Sequence, residues 1–379
     1  MKIGILTQPL QSNYGGLLQA YALQAVLQRL GHNPVVLKRQ NIDVYQISLA
    51  SFVHAFKLAI LRFVGSKVYT PKKESVAVVR QNTNLFVRQY INCSPNLCST
   101  LELKAYAKKE SFDAYVVGSD QVWRPRYSSF LTNYFLDFAE NWSVKRIAYA
   151  ASFGVDDWEF TPKQEIRCAA LAKKFDAISV REYSGIMLCH DYLGVEATHV
   201  LDPTLLLSKD DYIKIVQDNN ESKRDGNLFC YVLDKSADVS SAIDYIREKT
   251  GLKSFFTMPK RKLNRDNEEH HLEECIYPRV TEWLRSFMDA EMVVTDSFHG
   301  CVFSIIFNKS FWVIGNKERG LARFDSLLKS FGLNDRMVTV DRLSEVDLNS
   351  PIDWTAVEEK KKQLVDNSMV FLTKSLSPK

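Results

Sequence analysis

Long apolar runs are missing from this 379-residue chain: no stretch reaches the roughly 18 uninterrupted apolar residues of a membrane span, so a protein integral to a membrane is not expected. The opening residues, Met1 to Thr7, meet turn formers too soon to be the apolar core of a signal peptide, and read as a first strand. Cysteine is sparse. The seven residues Cys93, Cys98, Cys168, Cys189, Cys230, Cys275 and Cys301 are odd in number and never in Cys-x-x-Cys spacing, which points to buried thiols in a reduced, cytoplasmic protein. An excess of one charge is also absent: 49 Lys and Arg face 45 Asp and Glu, and a net charge of +4 is too small for a nucleic-acid coat. No helical His-x-x-x-His pair converges with carboxylates, and His270 and His271 beside Glu268, Glu269, Glu273 and Glu274 read as a solvated run, so no metal site is expected.

What is present is alternation of strand and helix patterns over a length that suits two domains at roughly 150 residues each, and two domains imply a cleft. Residues 3–7 form a strand, 8–16 a polar loop, and Leu23, Val26, Leu27 and Leu30 one face of a helix ended by Gly31. Residues 34–37 complete a β-loop-α-β unit whose two strands should be parallel. Residues 113–117 make a buried-type strand whose carboxyl end opens into the polar loop 118–125, a favoured ligand position in open α/β sheets. Thr161, Pro162 and Gln164 mark a helix start. The boundary is placed near Asp176, giving an N-terminal domain over 1–176, a C-terminal domain over 177–352, and a helix over 353–379 packing across the junction. Leu49, Phe52, Phe56, Ile60 and Phe63 share one face of a basic amphipathic stretch, continued by Lys67, Lys72 and Lys73; it suits peripheral contact of residues 47–73 with an anionic membrane, or simple packing on its own domain.

Chemistry concentrates where the apolar strand 292–295 turns abruptly into an apolar helix. Free N–H groups at a helix start bind phosphate or carboxylate, so Ser297, His299 and Gly300 should sit beside an anion. His32, His54, His190, His199, His270 and His271 read as structural, whereas His299 follows a strand, opens a helix and is flanked by Asp296 and Ser297. Arg319 and Arg323 lie one helical turn apart after strand 311–314 and suit a small dianion, or stand as a solvated pair. Arg181 ends strand 178–180 and serves either a surface pair with Glu182 or an anion.

In order, Val117-Gly118-Ser119-Asp120-Gln121-Val122-Trp123, Ser179-Val180-Arg181-Glu182, Leu201-Asp202-Pro203-Thr204, Thr295-Asp296-Ser297-Phe298-His299-Gly300 and Arg319-Gly320-Leu321-Ala322-Arg323-Phe324 resemble the polysaccharide pyruvyl transferase family, with the likeness beginning at Asn13-Tyr14-Gly15-Gly16. The resemblance implies an α/β fold of two Rossmann-like domains in a GT-B-like arrangement with a cleft between them. It also implies transfer of a pyruvyl group from phosphoenolpyruvate, expected in the C-terminal domain, to a sugar, expected to meet the N-terminal domain, as a cyclic ketal, with phosphate released and no cofactor. His299 matches the family's active-site histidine and Arg181 an arginine that holds the donor; Ser297 stands where some members have arginine, so Arg319, Arg323 or the backbone from Ser297 to Gly300 is expected to supply the missing positive potential.

In that reaction His299 is the expected acid, because histidine can give and regain a proton near pH 7. Asp120 is the leading base and Asp296 the second. Asn13, Tyr14, Gly15, Gly16, Ser119, Gln121 and Trp123 are expected to meet the acceptor, a sugar or lipid-linked oligosaccharide. The alternative on the same architecture is a nucleotide-sugar-dependent glycosyltransferase, since fold does not determine function.

Overall fold

The computed structural model describes residues 1–40, 69–234, 236–315 and 321–377. The expected amphipathic helix of the 47–73 stretch falls mostly outside these residues, as does Arg319.

Two parallel sheets organise the chain. The first runs β2 (Asn33–Val36), β1 (Lys2–Leu6), β3 (Ala114–Val117), β4 (Lys145–Ala151), β5 (Ala177–Val180), β6 (Thr198–His199), and the second runs β11 (Met337–Val338), β10 (Ser310–Ile314), β9 (Met292–Thr295), β7 (Leu228–Tyr231), β8 (Ser254–Phe255). Strands such as β3, β7 and β9 are buried at every position, as continuous apolar runs are when helices cover both faces of a sheet. The connections following β1 and β3 leave the first sheet where its strand order reverses, and those following β7 and β9 do the same in the second. Ligands collect at such points.

The strand patterning was legible locally, yet the boundary expected at Asp176 is wrong. β5 pairs with β4 through Ala177 and Ile147, and β6 pairs with β5 through Thr198 and Ser179, so the first sheet extends to His199. The capped helix Pro162–Ala172, whose Thr161–Gln164 capping box forms as expected, is therefore the crossover between β4 and β5. Apolar periodicity marks a strand but carries no information about its neighbour.

The helix Tyr14–Arg29 (α1) ends at Leu30 and turns through Gly31 at φ +80°, a left-handed conformation that suits glycine. Its first turn docks on the second domain: the Tyr14 ring stacks on Trp283 at 5.6 Å, and its hydroxyl donates to the Pro278 carbonyl at 2.9 Å. The last helix, Trp354–Leu376, spans both units. Lys360 Nζ donates to the Phe331 carbonyl near its start, while Ser368 Oγ accepts from the Leu201 amide and Lys145 Nζ donates to the Ser375 carbonyl further along. No helix among the described residues is long and apolar enough to cross a membrane.

Candidate active site

A cleft of about 500 Å³ opens between the sheets, with Gln8, Asn13, Asp120, Gln121 and Tyr127 on one wall and Leu233, Asp296, Ser297, Phe298, His299 and Arg323 on the other. The second wall is built by the strand-to-helix turn after β9. Ser297 caps the helix Phe298–Ile306 (α2), its Oγ accepting from the Gly300 amide, and the Phe298 and His299 N–H groups precede the first intrahelical acceptor. Gly300 is required by packing: a Cβ there would lie 2.1 Å from Thr295 Oγ1. Asp296 is not placed as a base. Its two oxygens accept from the Leu233 and Asp234 amides at 2.7 Å each, so it ties the loop after β7 to the loop after β9.

His299 is buried and lies on the first turn of α1. A Cβ on Gly15 would fall 2.1 Å from both the imidazole Cγ and Nδ1, so Gly15, expected to meet the acceptor, makes room for the His299 ring. The His299 Nε2 lies 3.6 Å from Asp202 Oδ2 and has no hydrogen-bond partner among the described residues.

Arg181 was expected to hold the donor, but its side chain is buried and already engaged. It donates to Asp202 at 2.8 Å and to Asp120 at 3.3 Å, and its guanidinium covers the Phe298 ring at 4.3 Å. Asp202, for which the sequence suggested no role, is the hub: it also accepts from Ser119 Oγ at 3.1 Å and from the Thr204 amide and hydroxyl. Burial acts to raise its carboxyl, but the nearby His299 imidazole, then the charge of Arg181 and the Thr204 hydroxyl, hold it far below the usual carboxylate range. Glu182 also escaped notice as a buried group. One oxygen accepts from Ser152 Oγ and the Phe153 and Gly154 amides, the other has no partner among the described residues, and burial pushes its carboxyl up.

Arg323 is the cation that faces the cleft without a carboxylate partner among the described residues. Burial first, then the charge of Arg181, pushes its guanidinium down to about 10, which leaves it charged at neutral pH. Asp120 lines the same space at φ +71°.

The expected acceptor residues divide. Asn13 and Gln121 line the cleft. Gly16 lies behind Asn13, Tyr14 is buried in the domain junction, and Ser119 is buried between Asp202 and the Ala150 carbonyl. Trp123 is core: its Nε1 donates to the Tyr134 carbonyl and its ring stacks on Phe135 at 4.9 Å. Trp123→Ala should cost about 3–5 kcal/mol in denaturant unfolding, as large-to-small core changes do. The aromatic on this wall is instead Tyr127, 44 % exposed and backed by the Arg124 guanidinium at 5.1 Å. The Tyr127 hydroxyphenyl has no local sequence signal that separates it from other loop aromatics.

Solved structures of low sequence identity share this fold. UDP-GlcNAc 2-epimerase from Methanocaldococcus jannaschii superposes with a TM-score of 0.54 at 14 % identity, covering 99 % of this chain and 100 % of that one. The UDP-GlcNAc 2-epimerase from Neisseria meningitidis, bound to UDP-GlcNAc, gives 0.52 at 10 % identity with 99 % of each chain covered. The fold is therefore GT-B, as the resemblance implied. No match was found among curated protein sequences. The family model described as polysaccharide pyruvyl transferase matches residues 13–318, a span that includes Asn13, Asp120, Ser297 and His299 of the cleft, and the chain belongs to that family of enzymes.

Proposed function

We propose that the chain transfers the pyruvyl group of phosphoenolpyruvate to two hydroxyls of a sugar in a surface-polysaccharide repeat unit, presented on a lipid carrier, forming a cyclic ketal and releasing phosphate. The observation that carries this reading is the meeting, in one cleft, of a histidine, an arginine with no carboxylate partner among the described residues and an open helix start: His299, Arg323 and the first turn of α2. A donor that is both an enol and a dianion needs this combination.

His299 delivers a proton to the donor's methylene carbon, which becomes the methyl group. The adjacent carbon turns electrophilic and is attacked by the first sugar hydroxyl. The bond from that carbon to the phosphate oxygen breaks, and the departing charge is stabilised by Arg323 and by the Phe298 and His299 N–H groups. The second hydroxyl attacks the same carbon and closes the ketal. Of the two hydroxyl protons, one replaces the proton His299 gave and the other leaves with phosphate. Asp120, on the facing wall, is the group suited to accept a proton from the sugar, although its bond with Arg181 engages one of its oxygens.

Phosphate release from phosphoenolpyruvate, measured with a panel of galactose, mannose and N-acetylhexosamine acceptors, tests the reaction. Acceptor-dependent release supports it. Turnover of a nucleotide sugar by the same chain, with no release from phosphoenolpyruvate, would move the assignment to a glycosyltransferase, whose donor class the bound ligands of the fold relatives exemplify. Arg323→Leu should fold normally and raise the donor KM by about 10- to 100-fold, the loss of one charged hydrogen bond, with a smaller change in acceptor KM. Equal donor KM in the two chains would remove Arg323 from the donor site.

A further inference from the structure

The Leu201-Asp202-Pro203-Thr204 segment has no part in the reaction as described, yet its carboxylate comes from the first domain to meet a histidine of the second. Among the described residues, three carboxylates stand near the turn that carries His299. Asp296, in the same turn, is held by two backbone amides, and Asp120, after β3, pairs with Arg181. Asp202, after β6, is the one that reaches the imidazole within ion-pair distance among the described residues. Among the described residues the cations nearby are Arg181, already paired to both Asp120 and Asp202, and Arg323, which shares the Phe298 ring.

Asp202 itself is immobilised. Thr204 holds Oδ1 with its amide at 3.0 Å and its hydroxyl at 2.7 Å, while Arg181 and Ser119 hold Oδ2 from the sides. The buried Nε2 of His299 stands 3.6 Å from that Oδ2, and a shortening of roughly half an ångström would complete a hydrogen bond. On the opposite edge of the ring, Nδ1 lies over Gly15, which has no side chain to cover it.

We infer that Asp202 is the positioning residue of His299: it takes Nε2 from across the domain junction and leaves Nδ1, over Gly15, as the atom that exchanges a proton with the donor. A carboxylate on one imidazole nitrogen determines the tautomer and so the nitrogen that acts. The acid is then complete only while the two domains are together, because Asp202 and Gly15 belong to one and His299 to the other. This rests on the assignment of His299 as the acid, but its structural content can be tested without turnover.

The test uses full-length protein labelled with 15N-histidine, in which the His299 signals are assigned by their loss in His299→Gln. With inorganic phosphate present, the neutral ring of the native chain should carry its proton on Nε2. Asp202→Asn should show a mixture of tautomers and lose kcat by more than tenfold, with donor KM held within about twofold. An unchanged tautomer and unchanged kcat would overturn the proposal. Should Asp202→Asn fail to fold, Gly15→Ala is the second arm, since it leaves the Asp202–Arg181 pair intact while its methyl group would overlap Cγ and Nδ1 and push the ring away from Asp202. It should lose kcat while the helix stays formed, and full kcat there would equally overturn the proposal. If no chain releases phosphate from phosphoenolpyruvate, the tautomer result still decides the positioning, and the failure belongs to the pyruvyl-transfer reading alone.

Discussion

Replacing His299 with glutamine is expected to lower acceptor-dependent phosphate release by ~10²- to 10⁴-fold, the range over which a positioned general acid contributes. Glutamine is polar, close in length and able to donate to Asp202, and it can rest on Gly15 where the imidazole does. It has no proton to give at neutral pH. The lesion should therefore appear in kcat, with thermal stability and binding of inorganic phosphate close to native, because the helix start and Arg323 remain in place. A His299→Gln chain that turned over at the native rate would leave the enol without an acid and would require another group in the cleft to supply it.

Arg181→Leu should produce the opposite pattern. A residue that only gripped the donor could be removed at little cost to folding, but the Arg181 side chain is buried and pairs with both Asp120 and Asp202. Breaking a buried pair by deleting one partner strands the other, at a cost of about 3–5 kcal/mol. Here two carboxylates are stranded, and the Phe298 ring loses the guanidinium that covers it. Urea denaturation should show the loss as a lower midpoint. A stable variant with only a raised donor KM would restore the donor-binding role that the resemblance implied.

The same cluster sets a pH dependence. Asp202 is depressed in the folded protein, so its contribution to stability is present above its unfolded value near ~3.9 and is lost as pH falls through the lower folded value. Glu182 is raised by burial, so its contribution is present at acid pH and is lost as pH rises through its folded value. Unfolding followed from neutral pH downward should consequently steepen only below the ordinary carboxylate range.

Much of the molecule could be read from local pattern. The strand 292–295, the abrupt helix start and the cap at Ser297 follow from short-range chemistry, because an apolar run, a small polar residue and a glycine act on their own backbone. The capping box at Thr161 and the turn through Gly31 are of the same kind. The helix start that carries His299 was legible for that reason: its context is written in the residues beside it. Arg181 and Trp123 were legible as residues but not in their roles. An arginine at a strand end and a tryptophan in a polar loop look alike whether they face a ligand or a core, and their partners lie far along the chain, at Asp120, Asp202 and Tyr134.

By itself the sequence determined the alternation of strands and helices, the helix start that carries His299 and, through ordered motifs, the family. Tertiary structure alone decided that β5 and β6 complete the first sheet, that Arg181 is spent on two carboxylates while Arg323 faces the cleft, and that Gly15 and Asp202 meet His299 from the other domain. The physical reason is range. Backbone propensity and capping act over a few residues, whereas burial and charge pairing depend on which distant segments the packed sheets bring together.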